Sequence, residues 1–138
     1  MKQICFVGSY APSGADGVYV CSFDTISGEM EIIHRYTGLQ NPTFLAVDKQ
    51  RNKLYAIAEL PGPEGSKRGA VAAFDIGENY RLTLLNMEET GPASTCHISL
   101  DQTGKVLMVS SYHGGMLGLS PIESTGHVGP VLEVHRHE

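Results

Sequence analysis

An all-β fold of short antiparallel strands is predicted for this 138-residue chain by three features. Short apolar runs alternate with clusters of Gly, Pro, Asn, Asp and Ser. Several runs alternate with period two, as Val18 and Val20 do against Tyr19 and Cys21. Sixteen Gly and seven Pro punctuate a sequence that has no Trp and no stretch favouring a long helix.

The elements follow in order. Ile4–Tyr10 opens the series and Val18–Phe23 comes next, then the Ser27-Gly28 turn leads into Met30–Tyr36. Asn41-Pro42 precedes Phe44–Val47, and a turn at Asp48 leads to Leu54–Ala58. The long loop Pro61–Gly69 runs into Ala70–Ile76, and Glu78-Asn79 turns the chain into Leu82–Met87. His97–Leu100 passes through a second Asp turn, at Asp101, to Val106–Ser110. The loop Tyr112-His113-Gly114-Gly115 carries two glycines that permit a tight turn with φ > 0. Met116–Ile122 and Val131–Val134 complete eleven strands.

The strands repeat. A shift of 53 residues places Phe44 on His97, Val47-Asp48 on Leu100-Asp101, Leu54 on Leu107 and Glu59 on Tyr112. Farther along, the shift falls to 46, setting Gly69 on Gly115 and Leu82 on Val128. The difference sits in one loop, ten residues from Glu59 to Gly69 but three from Tyr112 to Gly115. A loop that shortens while its flanking strands keep their spacing marks a structural repeat. The first 38 residues fit the same template without its opening strand: Ile4–Tyr10 answers Leu54–Glu59, Phe23 answers Phe74 and Met30 answers Leu82. Four antiparallel strands in a unit of roughly 50 residues is the blade pattern of a β-propeller. The chain is therefore expected to be one partial propeller domain of about two and three-quarter blades. Residues 1–38 would form a blade lacking its inner strand, and 39–90 and 91–138 two complete ones.

Composition narrows the partners. Ten Lys+Arg stand against fifteen Asp+Glu, for a net charge of -5, and 41% of residues are hydrophobic. An acidic balance without clustered basic residues argues against nucleic acid. No apolar run approaches the roughly 20 residues that span a bilayer, and the N-terminus turns polar too soon for a signal peptide. The three cysteines, Cys5, Cys21 and Cys96, are far apart and form no CxxC pair, so a structural zinc site is not expected. Each sits in or beside an apolar run, as a small buried hydrophobe does. A reduced, cytoplasmic protein is expected.

Four segments carry a family resemblance: "FVGSY…GVYVCSFD…GEMEI", "NPTFLAVDKQRNKLYAIAE", "GAVAAFDI…RLTLLN" and "CHISLDQTGKVLMVSSYHGGMLGLSPI…GHVGPV". In that order they resemble the N-terminal part of the propeller-type lactonases, the seven-bladed 6-phosphogluconolactonases and their carboxymuconate-lactonising relatives. The resemblance covers essentially the whole chain. It implies a lactone hydrolase acting on a small sugar lactone or carboxylate, with no cofactor. It also implies a longer chain, whose far C-terminus supplies the missing inner strand and whose middle blades carry the catalytic histidine, glutamate and arginines. No position up to Glu138 inherits those roles. This chain alone is expected to be weakly active or inactive; a non-catalytic propeller that binds a sugar acid or a protein partner is the alternative. Open sheet edges would also favour self-association.

Candidate binding residues follow from propeller geometry. The innermost strand starts, and the second ends, at the mouth of the central channel. His97 and Phe44 occupy the first position; Tyr10, Glu59 and Tyr112 occupy the second. Each either faces a ligand or packs between neighbouring blades. His97 stands out because its counterpart, Phe44, is apolar. A histidine oriented by a carboxylate could serve as general base for lactone hydrolysis, which makes His97 and Glu59 worth locating together. Arg68, with Lys67, forms the only adjacent basic pair and is the candidate for steering an anion; His113 lies on the short mouth loop. No metal site is expected: Cys96 and His97, as strand neighbours, point to opposite faces, and His135 and His137 lack further ligands.

Overall fold

The computed structural model describes all 138 residues, and its eleven strands form three antiparallel sheets. β1 (Lys2–Gly8), β2 (Asp16–Asp24) and β3 (Met30–Thr37) make a three-stranded sheet. β4 (Leu45–Asp48), β5 (Lys53–Pro61), β6 (Lys67–Ile76) and β7 (Leu82–Gly91) make the second sheet, in that order. β8 (His97–Leu100), β9 (Val106–Ser111), β10 (Met116–Pro121) and β11 (Glu133–Arg136) make the third. The grouping into three, four and four is the one the repeat predicts, and the architecture is a β-propeller segment.

Several strands run longer than their sequence readings: β2 starts two residues earlier, β5 and β6 extend through Pro61 and from Lys67, leaving only residues 62–66 of the expected Pro61–Gly69 loop outside the ladder, and β7 continues to Gly91. The first and last strands are displaced by two residues. The first starts at Lys2 and ends at Gly8 because Ser9 leaves the ladder, its hydroxyl donating to the Gly17 carbonyl at 2.9 Å. The last runs over Glu133–Arg136 rather than Val131–Val134. Upstream of it, Val128 is already committed to Asn86 of the second sheet, the side-chain amide and the Val128 backbone exchanging bonds of 2.8 and 3.0 Å. Pro130, with no N–H, then has nothing to donate to a ladder.

The second sheet is the middle layer, and alternation along its strands divides the core in two. Leu54, Ala56 and Ala58 of β5 and Ala70, Ala72 and Phe74 of β6 face the first sheet, packing with Val18, Leu39, Phe6 and Tyr36. Tyr55 and Ile57 of β5 and Val71 and Ala73 of β6 face the third, against Ile98, Leu107, Val109 and Val128. A strand buried on both faces reads as a continuous apolar run, and β6 does. The four alanines keep the first interface thin, so Phe74 is its main bulk. At the second interface the buried Tyr55 hydroxyl donates to the Gly126 carbonyl at 3.0 Å. Burial, with the Asp48 carboxylate nearby, pushes that phenol up to about 12, so it stays a donor.

The two Asp turns are stapled together. Arg51 donates to the Asp48 carboxylate at 2.9 Å and to the Thr103 carbonyl of the neighbouring turn at 2.8 Å. Gly104 is required beneath it: its φ is +68°, and a Cβ there would lie 2.3 Å from the guanidinium. Asp101 accepts from the Thr103 hydroxyl and from the backbone N–H groups of Val106, Thr103 and Lys105, which together hold its carboxyl at about 2. A carboxyl depressed in the fold adds stability above its ordinary value and surrenders it as pH falls toward the folded value. The stability gap between the parent and Asp101→Asn is therefore expected to be largest near neutral pH and to shrink between about pH 4 and about pH 2. Urea unfolding at a series of pH values reads this directly; a gap that does not change with pH would rule it out.

Candidate functional site

The segment before β4 builds one rim of the sheets. Asn41 adopts a left-handed backbone (φ 50°), which asparagine tolerates better than most residues. It is buried, its N–H donating to the Ala11 carbonyl at 2.8 Å and its side-chain amide to Glu59 Oε2 at 2.9 Å. Glu59, at the end of β5, has a second partner in Lys67 Nζ, also at 2.9 Å. The Glu59 carboxylate, and to a lesser degree the Tyr10 phenol, hold the Lys67 ammonium above the usual lysine range. The Glu59 N–H donates to the Gln40 carbonyl at 3.0 Å, and the Gln40 side chain accepts the Ser13 N–H at 3.0 Å. Gln40, Glu59, Ser66 and Lys67 line a cleft of about 460 Å³ between the β1–β2 and β5–β6 loops.

A second feature lies on the inner strands. Phe44, just before β4, and His97, opening β8, stand side by side with ring centroids 4.4 Å apart and planes tilted by 47°. The 53-residue repeat brings matching positions of adjacent sheets into contact here. Phe44 remains 39% exposed and His97 is exposed too, so the pair is a shelf open to solvent. Packing between neighbouring sheets and an open face thus coexist at His97.

The other candidates are dispersed. Tyr112 is largely exposed, its ring edge-on to His113 at 5.7 Å. Their loop is pinned by Ser111, whose hydroxyl donates to the Ser94 carbonyl at 2.6 Å and accepts the Gly114 N–H at 2.9 Å. Arg68 points its charge at Glu89, at 2.6 Å across β6 and β7, and donates through Nε to the Pro61 carbonyl at 3.0 Å. That ion pair lies in the outer half of its sheet. Tyr10 and Glu59 share the surroundings of Lys67, whereas Glu59 and His97 are not paired: the carboxylate is taken by Asn41 and Lys67.

Asn41 is a site residue that the sequence reading does not single out, and Lys67, expected with Arg68 to steer an anion, is instead paired with Glu59. The Asn-Pro dipeptide was the available signal for Asn41, because asparagine before a fixed-φ residue marks a special backbone position. Nothing local pointed to the Lys67–Glu59 pair, which depends on the register across a nine-residue β5–β6 hairpin edge.

Chemically, the rim offers an aromatic shelf with an exposed imidazole, and a polar cleft holding a matched carboxylate–ammonium pair. Both suit a small polar ligand. Hydrolysis would additionally need a base oriented by a third group, and Glu59 does not orient His97. No three His, Cys, Asp or Glu side chains stand together as a metal-binding group, and no helix is long and apolar enough to cross a membrane.

Comparison with known proteins adds the following. The family described as a seven-bladed β-propeller lactonase matches residues 4–138. A 6-phosphogluconolactonase of Bacillus subtilis (strain 168) is 32% identical over 134 residues, covering 96% of this chain and 37% of that protein. A 6-phosphogluconolactonase of Formosa agariphila is 32% identical over 130 residues, covering 93% and 36%. The crystal structure of a candidate 6-phosphogluconolactonase from Bacteroides fragilis superposes with a TM-score of 0.86 at 27% identity, over 99% of this chain and 36% of that one. The chain spans little more than a third of the length of these relatives.

Proposed function

The chain belongs to the lactonase family of seven-bladed β-propellers, and on that premise we propose that it is part of a lactone hydrolase acting on a sugar lactone such as 6-phosphogluconolactone. The observation that carries this is the family match along residues 4–138, with relatives named for that activity. In the proposed reaction water adds to the lactone carbonyl carbon, the ring C–O bond breaks, and the departing alkoxide takes up a proton to give the sugar acid. Residues 1–38, 39–90 and 91–138 are assigned as successive blades. The Phe44–His97 shelf, with Tyr10 and Tyr112 on the same rim, is assigned to ligand binding, and the general base to a part of the propeller outside these residues. A cytoplasmic setting, and self-association through the open inner edge of β1, belong to the same proposal.

One observation favours a second assignment for the isolated chain, a binding module without chemistry: the rim carboxylate Glu59 is already matched by Lys67 and Asn41. The two are separable. The purified 138-residue chain is expected to hydrolyse 6-phosphogluconolactone roughly 100-fold or more slowly than a full-length relative, the loss that follows when a general base is missing. It is nonetheless expected to bind the product acid, and His97→Ala to weaken that binding by about fivefold, the worth of one hydrogen bond. NMR titration with 6-phosphogluconate measures this. Because His97 is exposed and packs on Phe44, its loss should cost no more than about 1 kcal/mol of unfolding stability. Turnover near the full-length rate would overturn the placement of the base. Unaltered binding in His97→Ala would overturn the shelf as the ligand site. A strictly monomeric 14.9 kDa species by sedimentation would remove self-association.

A further inference from the structure

The first sheet brings together two cysteines that lie sixteen residues apart in the chain. Its register sets Cys5 of β1 directly opposite Cys21 of β2. Facing residues of antiparallel strands point to the same side of the sheet, with Cα atoms about 4.5–5.5 Å apart. That separation lies within the roughly 4.4–6.8 Å that a disulfide spans. The Cys5 sulfur already lies over the partner strand, 3.8 Å from the Cys21 carbonyl oxygen. We propose that Cys5 and Cys21 form a modification site, at which a low-molecular-weight disulfide such as oxidised glutathione converts the two thiols into a cross-strand disulfide.

Access sets the order of events. Cys5 is half-buried and is the more accessible of the two. Cys21 is 2% exposed, and burial first, then the neighbouring Cys5 sulfur, raises its thiol above the usual range. Cys5 is therefore the entry point. Its thiolate attacks one sulfur of oxidised glutathione, the glutathione S–S bond breaks, and one glutathione leaves as its thiolate. Cys21 then gives its proton to solvent and attacks the Cys5 sulfur, expelling the second glutathione. Two protein thiols are oxidised by two electrons and one glutathione disulfide is reduced to two thiols. The raised Cys21 thiol makes the second step faster as pH rises. Cys96 sits on the third sheet, with its sulfur directed at the Ser110 carbonyl, and is no rival for either partner. The product ties β1 covalently to β2 and closes the loop that carries Tyr10.

The test uses the 138-residue chain incubated with oxidised glutathione at mildly alkaline pH, acid-quenched and denatured. Cys96 is exposed and takes up its own glutathione, so the decisive sample is Cys96→Ser, whose expected product has no titratable thiol instead of two and a mass lower by two hydrogens. Cleavage at Asp16, between the two cysteines, should leave its fragments joined until a reductant is added. Adding Cys21→Ser to Cys96→Ser is expected to stop the reaction at a lasting glutathione adduct on Cys5. Two remaining thiols in Cys96→Ser, a lasting adduct on its Cys5, or a link from Cys5 or Cys21 to Cys96 in the unsubstituted chain would each overturn the assignment.

Discussion

Phe74→Ala is expected to destabilise the chain by about 4 kcal/mol, the middle of the range for removal of a buried aromatic ring. Phe74 is fully buried and meets the Tyr36 ring edge-on, with centroids 4.7 Å apart. An aromatic pair of this geometry adds about 1 kcal/mol to the burial of the ring itself. On the same face of the second sheet Leu54 stands directly opposite it, and the remaining neighbours, Ala56, Ala58, Ala70 and Ala72, are too short to fill the space the ring would leave. The cavity would persist, and cavity volume is what sets the loss. Urea unfolding followed by circular dichroism measures it, with Phe74→Leu expected to recover most of the stability. A second readout is local. Burial holds the Tyr36 phenol above the usual tyrosine range, so in Phe74→Ala its titration should move back toward that range. A parent-like Tyr36 titration would mean that the ring does not seal this interface.

Gly8→Ala should be the other severe lesion, at about 3 kcal/mol, the upper range for forced overpacking. A Cβ on Gly8 would stand 2.2 Å from the Pro42 carbonyl oxygen, and that obstacle is backbone. Pro42 has nowhere to retreat. It is fully buried, its ring also fills the space above Gly17, and Asn41 before it is anchored to Ala11 and Glu59. The urea midpoint is expected to fall by about 1.5 M at an m-value near 2 kcal/mol/M. Gly14→Ala is the control: nothing lies within 4 Å of its Cβ position, and a change within about 0.5 kcal/mol is expected. Equal midpoints for the two variants would show that β1 does not rest on Pro42 in solution. Because Asn41 leads from this contact to Glu59, loss of the Gly8–Pro42 packing should also loosen the polar cleft.

These two sites illustrate what was legible beforehand. Phe74 fell inside a run read as a strand from its composition alone, and its burial on one face follows from alternation. The eleven strands emerged because period-two patterning and turn residues are local signals, carried within a few residues. Strand ends slipped where a distant group intervened, Ser9 leaving the ladder for Gly17 and Val128 held by Asn86, and where pairing across strands carried β5, β6 and β7 past the residues read as loop. Gly8 looked like an ordinary strand glycine, since its constraint comes from Pro42, thirty-four residues on.

The rim divides in the same way. The 53-residue shift set Phe44 and His97 at matching positions, and the fold stacks them. The same shift matched Glu59 with Tyr112, but nothing in it disclosed that Glu59 would be claimed by Asn41 and Lys67, or that Arg68 would turn toward Glu89. Cysteines judged far apart in sequence became direct cross-strand neighbours once the β1–β2 register was known.

The sequence by itself determined the all-β class, the blade repeat, the strand count and the family, because each is written in local periodicity and in the order of motifs. Only the tertiary structure decided which rim residues pair, which charges are already matched, and which sulfurs face each other. Those outcomes depend on register and on the spacing between sheets. A shift of one residue in register would reverse every side chain on a strand, and no local pattern in the chain specifies which distant groups then meet.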